Sequence, residues 1–98
     1  MLLGKVKGTV VATQKEPSMV GFKFLVVKPL DEKGAEVSGS VVAVDAVGAG
    51  VGEVVLYATG SAARQTVATK DRPCDAVVMA IVDTLEVGGR EVYRKGRE

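Results

Sequence analysis

The stretch Val41–Arg64, VVAVDAVGAGVGEVVLYATGSAAR, limits what the chain can fold into more than any other. It reads as a strand, a glycine-rich turn, a second strand, and a glycine that opens a short helix. Val41–Val47 is an apolar run interrupted by Asp45, and Glu53–Thr59 is the second strand-like run. Between them Gly48, Gly50 and Gly52 allow backbone angles and close approaches that a β-carbon forbids. The first strand does not alternate. Val42, Val44 and Ala46 point one way, and Val41, Ala43 and Val47 point the other. Strands that are apolar on both faces are covered on both faces. A small domain has one core, so the second cover is expected from elsewhere, with a neighbouring subunit as the nearest source.

Valine carries this pattern through the whole chain: twenty valines stand against a single isoleucine. That bias favours β structure. With 98 residues, 47% of them apolar, the chain reads as one domain spanning residues 1–98. A domain of this size leaves much of its surface exposed, so surplus apolar residues point to surface buried by association.

Charge and reactive residues narrow the function classes. A formal net charge of +1 provides no broad field for nucleic acid or an anionic membrane. The chain has no histidine and one cysteine, Cys74. Histidine chemistry, an intrachain disulfide and a cysteine metal cluster are therefore absent. No metal and no cofactor are expected. The opening MLLGKVKG lacks the apolar core of a signal peptide, and no segment is long enough to span a bilayer, which points to a cytosolic protein.

Taken in order, Leu2–Gln14 reads as the first strand. Val6, Gly8, Val10 and Ala12 share one face; Lys5, Lys7, Thr9 and Thr13 share the other. Residues 15–18 form a turn, 21–28 a second strand ended by Pro29, and 29–39 a polar surface connection. Ser61 is placed to cap a helix over about Ser61–Ala68. TKDRP then makes a loop, and Asp75–Val87 reads as one long strand. Gly88-Gly89 is a hairpin turn, Arg90–Arg94 returns, and KGRE is expected to fray. The fold expected is mainly β: a five-stranded OB-like barrel with one short helix and a C-terminal β-hairpin. Closure removes the exposed edges that valine-rich strands would offer for aggregation. The charged hairpin reads as an arm laid on a neighbour.

Several residues invite a sharper reading. Gly48-Ala49-Gly50-Val51-Gly52 is GxGxG rather than GxGxxG, and a strand follows it, so a tight turn is favoured over a dinucleotide site. Asp45, Glu53, Arg64, Asp75 and Asp83 are charges set in apolar or motif segments, where they need partners. Structural or intersubunit ion pairing is favoured over a catalytic carboxylate pair, because no nucleophile or metal stands beside them. Arg64 with one of these carboxylates is the expected pair; the sequence leaves open which one. Cys74 reads as a small buried hydrophobe. Phe22 and Phe24 share a strand face and make a base-stacking platform conceivable, so a single-stranded nucleic-acid binder is the alternative function.

The segments VKGTVVATQK, GFKFLVVKPL, VAVDAVGAGVGEVVLYATGSAAR and PCDAVVMAIVDTLEVGG together resemble the EutN/CcmL family of microcompartment vertex proteins. The most specific pieces are VAVDxVGAGxGE at Val42–Glu53 and GSxAR at Gly60–Arg64. Cys74 and Ala62 depart from the residues most common in the family. The resemblance implies an OB-like barrel that forms a ring, usually of five, and plugs the vertices of a polyhedral shell beside hexameric tiles. It places Gly60, Ser61 and Ala62 near the ring axis, at a possible pore, and Gly48, Ala49 and Gly50 near a subunit junction. It implies a geometric role in a cytoplasmic microcompartment shell. The absence of histidine and of a nucleophile–base arrangement speaks against an enzyme, the near-neutral charge and scarce aromatics against nucleic acid, and the lack of a spanning segment against a membrane.

Overall fold

A computed structural model describes residues 1–96. Seven strands succeed one another: β1 Leu2–Val10, β2 Phe24–Pro29, β3 Val41–Asp45, β4 Val54–Thr59, β5 Ala76–Ile81, β6 Thr84–Val87 and β7 Arg90–Arg94. The first five close into a barrel in the order β1-β2-β3-β5-β4, with β4 pairing back to β1. Only β3 and β5 run parallel; the other barrel pairs are antiparallel. β6 and β7 form a separate two-stranded sheet. The expected five-stranded barrel and C-terminal hairpin are therefore present.

Val6, Leu25, Val27, Ala43, Val55, Tyr57 and Val78 fill the barrel interior. Gly4 on β1 makes room for them. A β-carbon there would stand 2.4 Å from Val27 Cγ1 and 2.9 Å from the Tyr57 ring. Burial pushes the Tyr57 phenol pKa up.

The outer faces of the same strands are not all bare. Val44 of β3, Ala58 of β4 and Val77 of β5 form a second buried cluster with Ala63. Phe22, Phe24, Cys74 and Met79 pack around it. The chain thus covers one of its own outer flanks with the 60–75 segment and the start of β2. The expectation that a sister copy supplies all the second cover is corrected here. A different flank stays open: Leu3, Leu56, Ala80 and Val82 line a surface groove together with Leu85 of the hairpin.

Two elements differ from expectation. No α-helix forms over residues 61–68; Gly60–Arg64 is instead a 3-10 turn. Its N-cap is Thr59, without a side-chain hydrogen bond, and Ser61 is not the cap. The reason lies in the Ala63 carbonyl, which an α-helix would give to the amide four residues on. Here it accepts from Thr69 Oγ1 at 2.6 Å. Gly60, at φ 65°, starts the turn and donates to the Asp75 carbonyl at 2.8 Å. The expected strand Asp75–Val87 is also split. Val82 makes a last bond to the Val54 carbonyl, after which the chain leaves the barrel and pairs with β7 instead. Of the end expected to fray, Lys95 is held by its amide on the Asp83 carbonyl at 2.8 Å. Residues 97–98 lie outside the described residues.

Candidate functional site

The turn between β3 and β4 is built around one carboxylate. Asp45 stands at the end of β3 with its side chain 2% exposed. Its Oδ1 accepts from the amides of Val47 (3.0 Å), Gly48 (3.0 Å) and Ala49 (3.2 Å). Lys23 Nζ stands 3.6 Å from Oδ2 and neutralises the charge from solvent. Amide–carboxylate bonds of this kind are stronger than neutral ones, so Asp45 templates the turn. Gly48, at φ 80°, supplies the left-handed conformation that brings the three amides to one oxygen. Ala49 is folded inward and joins the barrel core.

A second carboxylate closes the turn. Glu53 Oε1 accepts from the Gly50 amide at 2.5 Å, and Oε2 meets Lys95 Nζ at 3.0 Å. The Gly50 amide first, and Lys95 second, hold the Glu53 carboxyl below the usual carboxylate range. The turn is pinned to β1 by Gly52 N donating to the Val6 carbonyl and Val6 N to the Glu53 carbonyl. The amides of residues 47–50 are therefore spent on the protein's own carboxylates. That leaves nothing for the phosphates a glycine-rich nucleotide loop would cradle. Val47 and Val51 project from this turn, 41% and 63% exposed.

The Gly60–Arg64 turn presents a different surface. Gly60, Ser61 and Ala62 are exposed, whereas Ala63 is buried in the second cluster. Arg64 Nη1 donates to the Cys74 carbonyl at 3.1 Å. Within the chain Arg64 is therefore held by a backbone oxygen and not by one of the expected carboxylates. Asp75 is exposed beside it in sequence and uses its backbone carbonyl on Gly60. The structure thus brings Asp45 and Glu53 to one turn, but with lysines and amides as partners. Arg64 and Asp75 lie at the other end of β4. Cys74 is half-buried with Sγ 3.9 Å from the Ala63 carbonyl, and burial pushes its thiol pKa up. That agrees with a packing role.

Arg72 is the residue the sequence reading missed. Its Nε donates to the Ser18 carbonyl (2.8 Å) and its Nη2 to the Val20 carbonyl (3.0 Å). Its guanidinium lies 4.3 Å over the Phe22 ring. One side chain so ties the 65–75 loop to the 17–22 loop. TKDRP looks like solvated loop, and only an arginine among its charges hinted at multidentate bonding. Lys23 and Lys95 were missed for the same reason. Phe22 and Phe24 meet edge to face at 6.0 Å and 88°. Arg72 lies on one ring and both rings pack against the second cluster, so the pair is engaged within the chain's own covering layer.

Among the described residues no cluster of three or more acidic, cysteine or histidine side chains could hold a metal ion. Among the same residues no helix is long and apolar enough to cross a membrane.

Comparison with known proteins places this geometry. Residues 1–83 match the family model described as ethanolamine utilisation protein EutN/carboxysome. The chain is 53% identical over 95 residues to the carboxysome shell vertex protein CcmL of Gloeobacter violaceus, covering 97% of this chain and 95% of that protein. It is 47% identical to the microcompartment shell vertex protein PduN of Salmonella typhimurium, over 87% of this chain and 98% of that one. The solved Gloeobacter violaceus CcmL structure superposes with a TM-score of 0.92 over 97% of this chain and 98% of that chain, at 53% identity. GrpN of Rhodospirillum rubrum, described as a pentameric microcompartment shell protein, gives 0.80 over 89% of this chain and all of its own, at 49% identity. With the family model matched over residues 1–83 and relatives about half identical along nearly the whole chain, the chain belongs to the EutN/CcmL family.

Proposed function

We propose that this protein is a structural shell component that forms a cyclic homopentamer and caps the vertices of a bacterial microcompartment. One observation carries the reading: more than half of the residues are shared with a shell vertex protein across almost the whole of both chains. The physical logic is geometric. Hexagonal tiles alone make a flat sheet, and pentagons close it. A closed ring presents identical edges to the hexameric tiles around it. The shell lies in the cytoplasm, and the protein has no catalytic step of its own.

The surface supports the same reading. The groove of Leu3, Leu56, Ala80 and Val82, and the exposed Val42, Val47 and Val51, are apolar area left uncovered by the chain itself. In the proposed ring the Gly48-Ala49-Gly50 turn sits at a subunit junction, held rigid by Asp45 and Glu53. Gly60, Ser61 and Ala62 face the five-fold axis, where small exposed side chains suit a crowded convergence. Arg64 and Asp75 lie on the junction side of that turn and are proposed to pair between subunits.

The test has two stages. Size-exclusion with light scattering should give five times the chain mass. Co-expression with hexameric shell proteins should give closed polyhedra by electron microscopy, and open sheets or tubes when this chain is omitted. A monodisperse monomer at high concentration, or polyhedra that close equally well without it, would refute the proposal.

A further inference from the structure

We propose that Thr69 is the positioning residue of the exposed Gly60–Arg64 turn: its hydroxyl is the centre of a buried relay, from Thr66 to Thr69 to the Ala63 carbonyl, that fixes which way the turn faces. The vertex reading puts this turn at the ring axis, but the role of Thr69 stands on contacts within one chain.

Among the described residues Thr69 is the one buried polar residue, 0% exposed. A hydroxyl is costly to bury unless it is bonded, and the partners of this one allow a single order of protons. The Ala63 carbonyl, 2.6 Å away, can only accept, so the Thr69 hydroxyl proton goes there. The Thr66 amide, at 3.3 Å, can only donate, and gives to Thr69 Oγ1. In the 2.6 Å contact between the two hydroxyls Thr66 is therefore the donor. Thr66 Oγ1 in turn accepts from the Thr69 amide at 3.1 Å. Each hydroxyl gives one proton, and no apolar residue of the same shape could stand in for Thr69.

Other contacts share the load of holding the turn, but at different points. Gly60 N donates to the Asp75 carbonyl at 2.8 Å and Arg64 Nη1 to the Cys74 carbonyl at 3.1 Å, which ties the two ends to residues 74–75. Gln65 N closes the turn on the Ala62 carbonyl at 3.3 Å. Cys74 Sγ reaches the Ala63 carbonyl only at 3.9 Å. The short bond to that carbonyl is the one from Thr69, and Ala63 is the residue of the turn that points inward, against Val44, Ala58 and Val77. A carbonyl drawn onto Thr69 keeps the Ala63 methyl on the barrel and leaves Gly60, Ser61 and Ala62 exposed. Thr69, being fully buried, acts on any neighbour only through the turn.

Hydrogen exchange of the full chain, read by NMR, tests this at the Gly60 and Gln65 amides. The Gly52 amide, bonded to the Val6 carbonyl at the far end of β4, is the reference. Thr69→Val keeps the shape and removes the hydroxyl; Thr69→Ser keeps the hydroxyl. Thr69→Val should speed exchange about tenfold at Gly60 and Gln65, as expected when a buried carbonyl loses its donor, and less than about twofold at Gly52. Thr69→Ser should stay within about twofold of the parent at all three amides. An unchanged rate in Thr69→Val, equal rises in the two variants, or a rise at Gly52 to match would overturn the proposal. Should Thr69→Val fail to fold, Thr66→Val carries the test. It leaves the Thr69–Ala63 bond in place and should raise exchange at Gly60 and Gln65 by less than about threefold, and a tenfold rise would overturn the order of donation. Light scattering of the same samples keeps the two readings apart: a monomer mass for the parent refutes the ring and leaves the exchange rates to decide the role of Thr69.

Discussion

The two outer flanks of the barrel are made from the same kind of strand and meet different fates. On one, Val44, Ala58 and Val77 are buried beneath Ala63, Phe22 and Phe24, and Arg72 straps the covering loops together. On the other, Leu3, Leu56, Ala80 and Val82 border an open groove. An apolar outer face is thus not by itself a subunit interface. It becomes one only where no loop of the same chain reaches it. Counting valines overstates the surface left for partners, because part of the surplus is spent on a second core.

The contrast can be broken most directly with a charge. Val77→Asp puts an unpaired carboxylate in the covered cluster and should cost about 3–5 kcal/mol, enough to prevent folding of a small domain. Leu56→Asp on the open flank should keep the β-sheet circular dichroism and lose the ring mass by light scattering. If both variants unfold, the flanks are equivalent and the distinction fails. A milder probe is Arg72→Met, which removes two charged hydrogen bonds and the contact with Phe22. It should destabilise by about 2 kcal/mol in urea titration, and by more than Arg64→Met, which loses one bond to a carbonyl. Equal losses would mean that the strap adds nothing to the cover.

Smaller effects sharpen the picture of the open side. Arg64→Ala should loosen the ring by about 1 kcal/mol per junction, whereas Lys15→Ala, whose ammonium only bonds the nearby Ala12 carbonyl, should not. Equal oligomer stability by native mass spectrometry would remove Arg64 from the junction. Acid gives the smallest effect. The Glu53 carboxyl is depressed in the folded chain, so its contribution is present above the ordinary carboxylate value and is lost as pH falls through the folded one. The turn that Glu53 closes on the Gly50 amide should therefore loosen only below about pH 4.5, where carboxylates protonate. Loosening between pH 6 and 8, read by hydrogen exchange at the Gly50 amide, would point away from Glu53.

Much of this was legible beforehand for physical reasons. Valine runs of strand length bounded by glycines have few solutions other than a small closed sheet, and Gly88-Gly89 between two short runs has one obvious geometry. The GAGxG turn was readable as a turn because a strand, not a helix, follows it. The error at Ser61–Ala68 came from local signals alone. Ser61 and a run of small residues suit a helix, but Thr69, six residues beyond Ala63, takes the carbonyl the helix would need. The partners of Asp45 and Glu53 were hidden in a related way. Their need for partners followed from desolvation, but amides and lysines compete with Arg64 on equal terms until the backbone is placed.

Sequence by itself determined the class of fold, the position of the turns and the family, because these depend on local pattern and on motifs in order. Tertiary structure alone decided which apolar flank is closed by the chain, which groups satisfy each charge, and where the hairpin leaves the barrel. Those outcomes rest on contacts between residues tens of positions apart, such as Arg72 with Ser18 and Glu53 with Lys95, and only the closed path of the backbone sets such distances.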